Sequence, residues 1–226
     1  MDIRLHYIEK GEGFPLILLH GNGEDSGYFV HQIEYFAKKY RVIAVDTRGH
    51  GKSPRGEAPF TIRQFADDLK EFMDEMQMER AHVLGFSDGG NIAMIFAMKY
   101  PERVEKVILD GANLDGRGVK FTVQLPIILA YYFASIFAKR NPEAKKNAEL
   151  LGLMVKDPNV KPEELRQIKA RTLVVAGDKD LIKESQTRAI AENIPDAELA
   201  FVPGDHWVAN KNPEGFNKAV EKFLAE

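Results

Sequence analysis

The sequence predicts an α/β fold in which a doubly wound, mostly parallel sheet carries helices on both faces. Short apolar runs bounded by turn residues recur along the chain, and helical patterns lie between them. The runs are rich in Val, Ile and Leu and do not alternate with polar residues, which is typical of parallel strands buried on both faces. Because strands and helices follow one another in turn, the sheet is expected to be doubly wound.

Six strands are predicted from the apolar runs, at residues 15–19, 41–45, 81–86, 104–109, 171–176 and 198–202. Helices are predicted at residues 28–39, 62–76, 89–99, 183–193 and 213–224. The second helix has an apolar face behind a capping box of Thr61 and Gln64. Asn212 is the expected cap of the last helix, with Pro213 at its first position.

The alternation stops between residues 113 and 168, where the sequence shows helical pieces and turn dipeptides but no strand. We therefore predict a small helical cap at residues 114–168, inserted within a single domain that spans residues 1–226. The longest uncharged stretch, residues 121–138, just reaches the length of a marginal membrane span. A span there would separate two halves of one sheet, so a buried or lid helix is the better interpretation and no membrane span is expected.

Composition argues against several classes of function. The 226 residues are 44% hydrophobic, which is enough for one sizeable core. The net charge is only −3 and the charges are interleaved, which argues against a nucleic-acid partner. The absence of cysteine excludes disulfides, thiolate catalysis and Cys-ligated metals. The first ten residues carry charges and no apolar signal-peptide core, so a cytoplasmic location is expected.

Residues 85–89 form a G-x-S-x-G motif between a predicted strand and a predicted helix. A serine on such a sharp turn is held in strained backbone, and Gly85 and Gly89 remove the collisions that side chains would cause there. The helix N-terminus adds a partial positive charge and free N–H groups near the reacting oxygen. Ser87 is therefore the predicted nucleophile.

A serine nucleophile needs a histidine base that is held in the right tautomer by a carboxylate. Of the six histidines, His206 lies in a loop after the last predicted strand, at the sheet edge where the strand before Ser87 also ends. The loop after the predicted strand at 171–176 offers two candidate acids, Asp178 and Asp180.

Several segments together make nearly the whole chain resemble the α/β-hydrolase family, and above all its small esterases and lactonase-like members. The segment 20–23, His-Gly-Asn-Gly, resembles the family's oxyanion loop. The segment 46–53 resembles its D-x-R-G-x-G-x-S turn, which we interpret as structural, and Ser87 lies at its nucleophile elbow. The order serine, aspartate, histidine along the chain also matches.

This resemblance implies further features of the site. It places the helical cap after the sixth strand, and it selects Asp180 over Asp178 as the acid, by its place in the G-x-x-D pattern. It implies no cofactor and no metal. One departure is Asp205, which precedes His206 where the family usually has glycine.

An oxyanion hole requires two N–H donors about 3 Å from the developing charge, each worth very roughly 3 kcal/mol. We predict that the backbone N–H groups of Asn22 and Asp88 are these donors. The Ser-Asp-Gly-Gly sequence at 87–90 also resembles the elbow of valacyclovir-hydrolase-like enzymes, in which an acidic residue recognises a substrate amino group. The alternative is that Asp88 forms only a local hydrogen bond or salt bridge.

The cap is expected to select the substrate. Its residues Leu125, Ile128 and Tyr132, together with Trp207 beside the base, are the predicted lining of an apolar acyl pocket. The alternative is that the cap side chains only pack the cap onto the main domain.

The resulting prediction is a serine hydrolase that cleaves a small carboxylic ester or related acyl substrate through an acyl-enzyme. Dehalogenase and epoxide-hydrolase chemistry on this fold normally uses an aspartate nucleophile, so Ser87 argues against both. A carbon-carbon bond hydrolase, a cofactor-free perhydrolase and a non-catalytic protein that binds a small ligand remain alternatives. The chain is expected to be a monomer or a homodimer.

Overall fold

The computed structural model describes all residues, 1–226, and is built around a seven-stranded sheet with the order β1-β3-β2-β4-β5-β6-β7. The strands are β1 (Tyr7–Lys10), β2 (Pro15–Leu19), β3 (Arg41–Val45), β4 (Ala81–Phe86), β5 (Val104–Asp110), β6 (Arg171–Gly177) and β7 (Ala197–Val202). All neighbouring strands pair in parallel except β1, which pairs antiparallel with β3. The predicted fold class is confirmed.

The helices are α1 (Val30–Phe36), α2 (Ile62–Glu75), α3 (Asp88–Lys99), α4 (Phe121–Phe137), α5 (Pro142–Lys156), α6 (Glu184–Asn193), α7 (Val208–Lys211) and α8 (Pro213–Ala225). Thr61 Oγ1 accepts a hydrogen bond from Gln64 N at the start of α2. The Gln64 side chain donates to Asp68 instead of turning back to Thr61, so only half of the predicted capping box forms.

Both faces of the sheet are covered by apolar packing. Along β2, Leu16 and Leu18 join a cluster on one face, whereas Ile17 and Leu19 join the cluster on the other. This alternation follows from the two-residue period of a strand. Because both sets are buried, the strand reads as an unbroken apolar run.

The edge strand β1 was not predicted. Its sequence is Tyr-Ile-Glu-Lys, and its last three residues are exposed, so it lacks the apolar run by which the other strands were recognised. The family resemblance placed the helical cap after the sixth strand. In the structure only β1 precedes the parallel strands, so the segment that contains α4 and α5 follows the fifth strand, β5. No helix has both the length and the apolar character needed to cross a membrane.

The order of the strands decides which loops meet. The parallel strands β4, β5, β6 and β7 are neighbours in the sheet, so their carboxyl ends lie side by side at one edge. Ser87 directly follows β4, Asp180 follows β6, and His206 follows β7. Ligands of open α/β sheets bind at this edge of the sheet.

Candidate active site

Ser87 occupies a strained turn between β4 and α3. Its backbone has φ 54° and ψ −118°, a region that side chains with a Cβ rarely adopt. The turn is held by the Ser87 N–H, which donates to the carbonyl oxygen of Asp110 over 2.7 Å, and by Asn91 N, which donates to the Ser87 carbonyl oxygen over 3.0 Å. The two strands and the helix around Ser87 thus fix the conformation of the elbow.

The glycines on either side of Ser87 are required by close backbone contacts. A Cβ at Gly85 would lie 2.0 Å from the carbonyl oxygen of Gly89, and a Cβ at Gly89 would lie 2.0 Å from that of Leu19. Backbone atoms cannot move aside as a flexible side chain can. The structure therefore explains the G-x-S-x-G spacing: side chains at the two glycine positions would collide with the backbone, as the sequence analysis expected.

Ser87, His206 and Asp180 form one hydrogen-bonded chain. Ser87 Oγ lies 3.0 Å from His206 Nε2, and His206 Nδ1 lies 2.7 Å from Asp180 Oδ1. The backbone N–H of Ile182 donates to the same Asp180 oxygen over 2.8 Å. Both His206 and Asp180 are buried. In this arrangement the carboxylate holds Nδ1–H, which leaves Nε2 free to accept the serine proton.

The other candidate acid, Asp178, lies elsewhere. It is exposed, and its Oδ1 accepts a hydrogen bond from Gly204 N over 3.0 Å, so it supports the loop before His206 without touching the imidazole. Asp205, the residue that departs from the family pattern, turns away from the ring: its carboxylate binds Trp207 N and Lys211 Nζ.

His20 orients the loop that follows β2. The backbone N–H of Thr47 donates to His20 Nε2 over 3.1 Å, so this nitrogen is unprotonated and Nδ1–H donates to the Gly21 carbonyl oxygen over 2.7 Å. Burial lowers the pKa of His20, which favours this neutral form. In a trans peptide the C=O and N–H point in opposite directions, so the Asn22 N–H points away from His20. Asn22 lines the same pocket as Ser87.

Asp88 begins α3, where the first N–H groups have no acceptor within the helix. Its side chain is buried and accepts hydrogen bonds from Asn22 Nδ2 over 2.9 Å and from Asn91 Nδ2 over 3.3 Å. Burial raises the pKa of Asp88 to about 6, and the hydrogen bond from Asn22 opposes this rise. The Asp88 carboxyl group therefore lies beside Ser87 and is shielded from solvent. Its hydrogen-bond partners are two side-chain amides, and no cation of the protein lies against it.

The pocket at Ser87 encloses about 120 Å³. Its apolar lining consists of Phe86, Val119, Met154, Leu181, Ile182 and Trp207. Its acidic lining consists of Glu24, Asp88 and Asp157, and no lysine or arginine lines it. Burial raises the pKa of Glu24 and of Asp157 as well. The pocket is small and partly apolar, and three of the polar side chains that line it are carboxyl groups.

Trp207 lies in this pocket as predicted, but three other predicted lining residues do not. Leu125 and Tyr132 are exposed on α4, and Ile128 borders a separate groove beside Lys156. Residues 114–168 contribute Val119, Met154 and Asp157 to the pocket instead. Since α4 is uncharged on every side, its sequence could not indicate which face points inward.

Asp110 was not singled out from the sequence. It ends β5 between the strands that carry Ser87 and Asp180, is fully buried, and has no hydrogen-bond partner for either carboxylate oxygen. Burial, and secondly the charge of Asp180, hold its pKa well above the usual range. The Asp110 side chain is therefore protonated more readily than an exposed aspartate. The sequence did contain a signal for Asp110, because it is an acidic residue directly at the end of an apolar run.

The turn at 46–53 stabilises the loops around the site and does not line the pocket. Asp46 accepts hydrogen bonds from Ser26 N over 2.7 Å and from Lys52 N over 2.8 Å. The Arg48 guanidinium is buried between Asp2 and Asp68. These contacts support the structural interpretation of this turn.

Comparison with known proteins agrees with this geometry. The sequence profile of the alpha/beta hydrolase fold matches residues 15–136. A relative from Azorhizobium caulinodans named for carbamate hydrolysis is 31% identical over 100% of this chain and 96% of its own. The 2-hydroxy-6-oxononadienedioate/2-hydroxy-6-oxononatrienedioate hydrolase of Paraburkholderia phymatum is 34% identical over 100% of this chain and 92% of its own.

Among solved structures, the enol-lactonase from Burkholderia xenovorans LB400 superposes with a TM-score of 0.83 and 25% identity, covering 99% of this chain and 97% of its own. These relatives share the fold and act as hydrolases on different bonds, so hydrolase activity is common to the group while the bond cleaved varies. This chain is a hydrolase and belongs to the α/β-hydrolase fold family.

Proposed function

We propose that this hydrolase cleaves a small carboxylic ester or a related acyl compound through a covalent acyl-enzyme on Ser87. The observation that carries this proposal is the hydrogen-bonded chain from Ser87 Oγ through His206 to Asp180, with distances of 3.0 and 2.7 Å. A serine hydroxyl becomes a useful nucleophile at neutral pH when a base of this kind accepts its proton.

In the proposed reaction His206 Nε2 takes the Ser87 proton while Oγ attacks the substrate carbonyl carbon. The backbone N–H groups of Asn22 and Asp88 are the proposed donors to the resulting oxyanion. His206 then gives its proton to the leaving alcohol, and the ester carbon–oxygen bond breaks. A water molecule, deprotonated by His206, attacks the acyl-enzyme and releases the carboxylic acid, which restores Ser87.

The first experiment is covalent labelling with a fluorophosphonate, read by intact mass and by peptide mapping. We expect one adduct, on Ser87, that is lost in both Ser87→Ala and His206→Ala. Asp178→Asn serves as the matched control, because that side chain lies on the same edge of the sheet without contacting the imidazole. Absence of labelling together with absence of turnover would favour a non-catalytic protein that binds a small ligand.

The lining of the pocket favours uncharged or cationic substrates over dianionic ones. The Paraburkholderia phymatum relative is named for dienedioate substrates, which carry two carboxylates. In this chain the pocket is lined by three carboxyl groups and by no lysine or arginine, so nothing there would neutralise a dianion.

A panel of short-acyl and long-acyl esters, a lactone, a carbamate and a dienedioate ketone tests this ranking of substrates. Preference for the dienedioate ketone would establish carbon-carbon hydrolysis instead. Oxidation of a halide by the enzyme with hydrogen peroxide and acetate would establish perhydrolysis.

A second candidate is hydrolysis of α-amino-acid esters. Asp88 is buried beside Ser87 with a pKa raised to about 6, and no cation of the protein lies against it, so a substrate ammonium group would supply its missing counter-ion. Comparison of a phenylalanyl ester with the matched phenylpropionyl ester measures this preference. Asp88→Asn should abolish the preference while retaining cleavage of the plain ester. An unchanged ratio of the two rates would contradict the amino-ester candidate but not the serine mechanism.

A further inference from the structure

Helix α4 carries a concentrated apolar surface that nothing in this chain covers. Seven of the twelve large exposed hydrophobic side chains of the protein lie on this one helix. Four of them, Leu125, Leu129, Tyr132 and Ile136, form a line along the helix that we call the α4 seam. Phe121, Phe133 and Phe137 flank it. Their exposed fractions range from 39% to 73%.

The size of this surface exceeds what a monomer usually exposes. Weighted by their exposed fractions, the seven side chains present roughly 800 Å², taking about 150–250 Å² for each aromatic side chain. The largest apolar patch of a typical monomer covers about 300–600 Å². A standard protein–protein interface buries about 800 Å² on each partner. The α4 surface alone therefore has the area that one side of a stable dimer needs.

The spacing of the seam indicates that its partner is another helix. Leu125, Leu129, Tyr132 and Ile136 follow one another at intervals of four, three and four residues. Alternating intervals of three and four keep side chains on one narrow stripe that packs into the grooves of a facing helix. The aromatic and aliphatic composition is also that of a homodimer interface core, from which charged residues are depleted.

A lipid surface fits these observations less well. Helices that lie in a membrane interface combine an apolar face with a strongly charged face rich in lysine or arginine. Residues 121–138 include no charged residue, and the side of α4 away from the exposed surface packs on α5. A lipid phase also does not require that apolar side chains follow one another at alternating intervals of three and four residues.

We propose that the α4 seam is the interface of a homodimer, in which the α4 helices of two copies pack antiparallel about a two-fold axis. In this arrangement Leu129 faces Tyr132 of the second copy, and Leu125 faces Ile136. The antiparallel direction places the N-terminus of each α4 beside the C-terminus of the other copy, which is the favourable arrangement of two helix dipoles.

Sedimentation of the full chain in detergent-free buffer tests the association. The chain has a mass of 25.5 kDa, and we expect a species of twice this mass at micromolar concentration. The double variant Leu129→Glu with Ile136→Glu should weaken dimerisation at least about 100-fold, because two charges would be buried without partners. It should retain the hydrolysis rate of the wild-type chain on a water-soluble ester, since neither side chain lines the pocket at Ser87.

Val30→Glu is the matched control, because Val30 is an exposed apolar residue on α1 and its replacement should leave the dimer intact. A monomer at all concentrations overturns the proposal, as does a dimer that survives the double variant. A monomer that binds vesicles of anionic phospholipid through α4 also overturns it and assigns the surface to lipid.

Disulfide crosslinking tests the direction of the helices and does not depend on the glutamate variants folding. The chain has no cysteine, so each introduced cysteine is the only thiol. A mixture of Leu125→Cys and Ile136→Cys chains should form a disulfide-linked pair under mild oxidation, whereas Ile136→Cys alone should not. Efficient crosslinking of Ile136→Cys alone contradicts the antiparallel arrangement.

Discussion

The side chain of Asn22 donates one hydrogen bond to Asp88 Oδ2 over 2.9 Å and a second to the carbonyl oxygen of Leu150 over 2.8 Å. A single amide thereby joins the loop after β2, the first turn of α3 and helix α5 of the cap. The two residues whose backbone N–H groups are the proposed oxyanion donors are thus linked through their own side chains. Asn22 is in a position to set the distance between these donors.

Replacement of Asn22 by alanine is expected to lower kcat for an ester by about 10- to 100-fold, because misplacement of an oxyanion donor weakens binding of the transition state. The free energy of unfolding should fall by only about 1–3 kcal/mol, the usual effect of removing one partner of a buried carboxyl group. Steady-state kinetics and urea unfolding measure the two effects. Asn91→Ala removes the other amide on Asp88, together with its two hydrogen bonds to Asn113, and leaves the loop after β2 in place. An equal loss of kcat in both variants would therefore contradict the role of Asn22.

Asp180→Asn is expected to lower kcat by about 10³- to 10⁴-fold, because an amide neither holds His206 in the required tautomer nor stabilises the imidazolium. Asp178→Asn should stay within about threefold of the wild-type rate, since that side chain binds only the Gly204 N–H. Single-turnover rates with a chromogenic ester compare the two. A larger loss of rate in Asp178→Asn than in Asp180→Asn would mean that Asp178, and not Asp180, is the acid that orients His206.

Gly85→Ala is expected to destabilise the fold by more than about 3 kcal/mol or to prevent folding, because its Cβ would lie 2.0 Å from the backbone oxygen of Gly89. Gly23→Ala is the matched control. Gly23 has a φ of +73° but no atom within 4 Å of the added Cβ, so only the backbone conformation opposes the change, at about 1–2 kcal/mol. Urea unfolding gives both values, and equal values would mean that backbone conformation, not contact, decides the cost.

Stability should depend on pH through Asp88. Its pKa is about 6 in the folded chain against about 3.9 in an unfolded chain, so between these values the folded state binds more protons. The free energy of unfolding therefore falls as pH rises from about 4 to about 6, by at most about 3 kcal/mol from this group. Asp88→Asn removes this contribution and should be more stable than wild type at pH 7 but not at pH 4. If the free energies of unfolding of wild type and Asp88→Asn differ by the same amount at pH 4 and at pH 7, the pKa of Asp88 is not raised in the folded chain.

Sequence patterns predicted much of this fold because the central strands are buried on both faces. Six of the seven strands were predicted to within one residue at each end, since a parallel strand that is covered by helices is mostly apolar. The same reasoning failed at β1, an edge strand whose exposed Glu9 and Lys10 interrupt the pattern. The sharp turn at Ser87 could be predicted from local sequence because it requires glycine at Gly85 and Gly89.

The sequence by itself determined six of the seven strands, the turn at Ser87 and a short choice of partners for Ser87, since each of these depends on residues that are neighbours in the chain. The residues alone left Asp178 and Asp180 open as partners of His206, and the family resemblance selected Asp180. The tertiary structure gives the physical reason, because both follow β6 but the loop turns Asp180 towards His206 and Asp178 towards Gly204. It also decided that Glu24, Asp88 and Asp157 converge on one pocket while the apolar face of α4 points outward. These groups come from distant parts of the chain, and their meeting depends on how helices pack across the end of the sheet, which the periodicity of any single element does not encode.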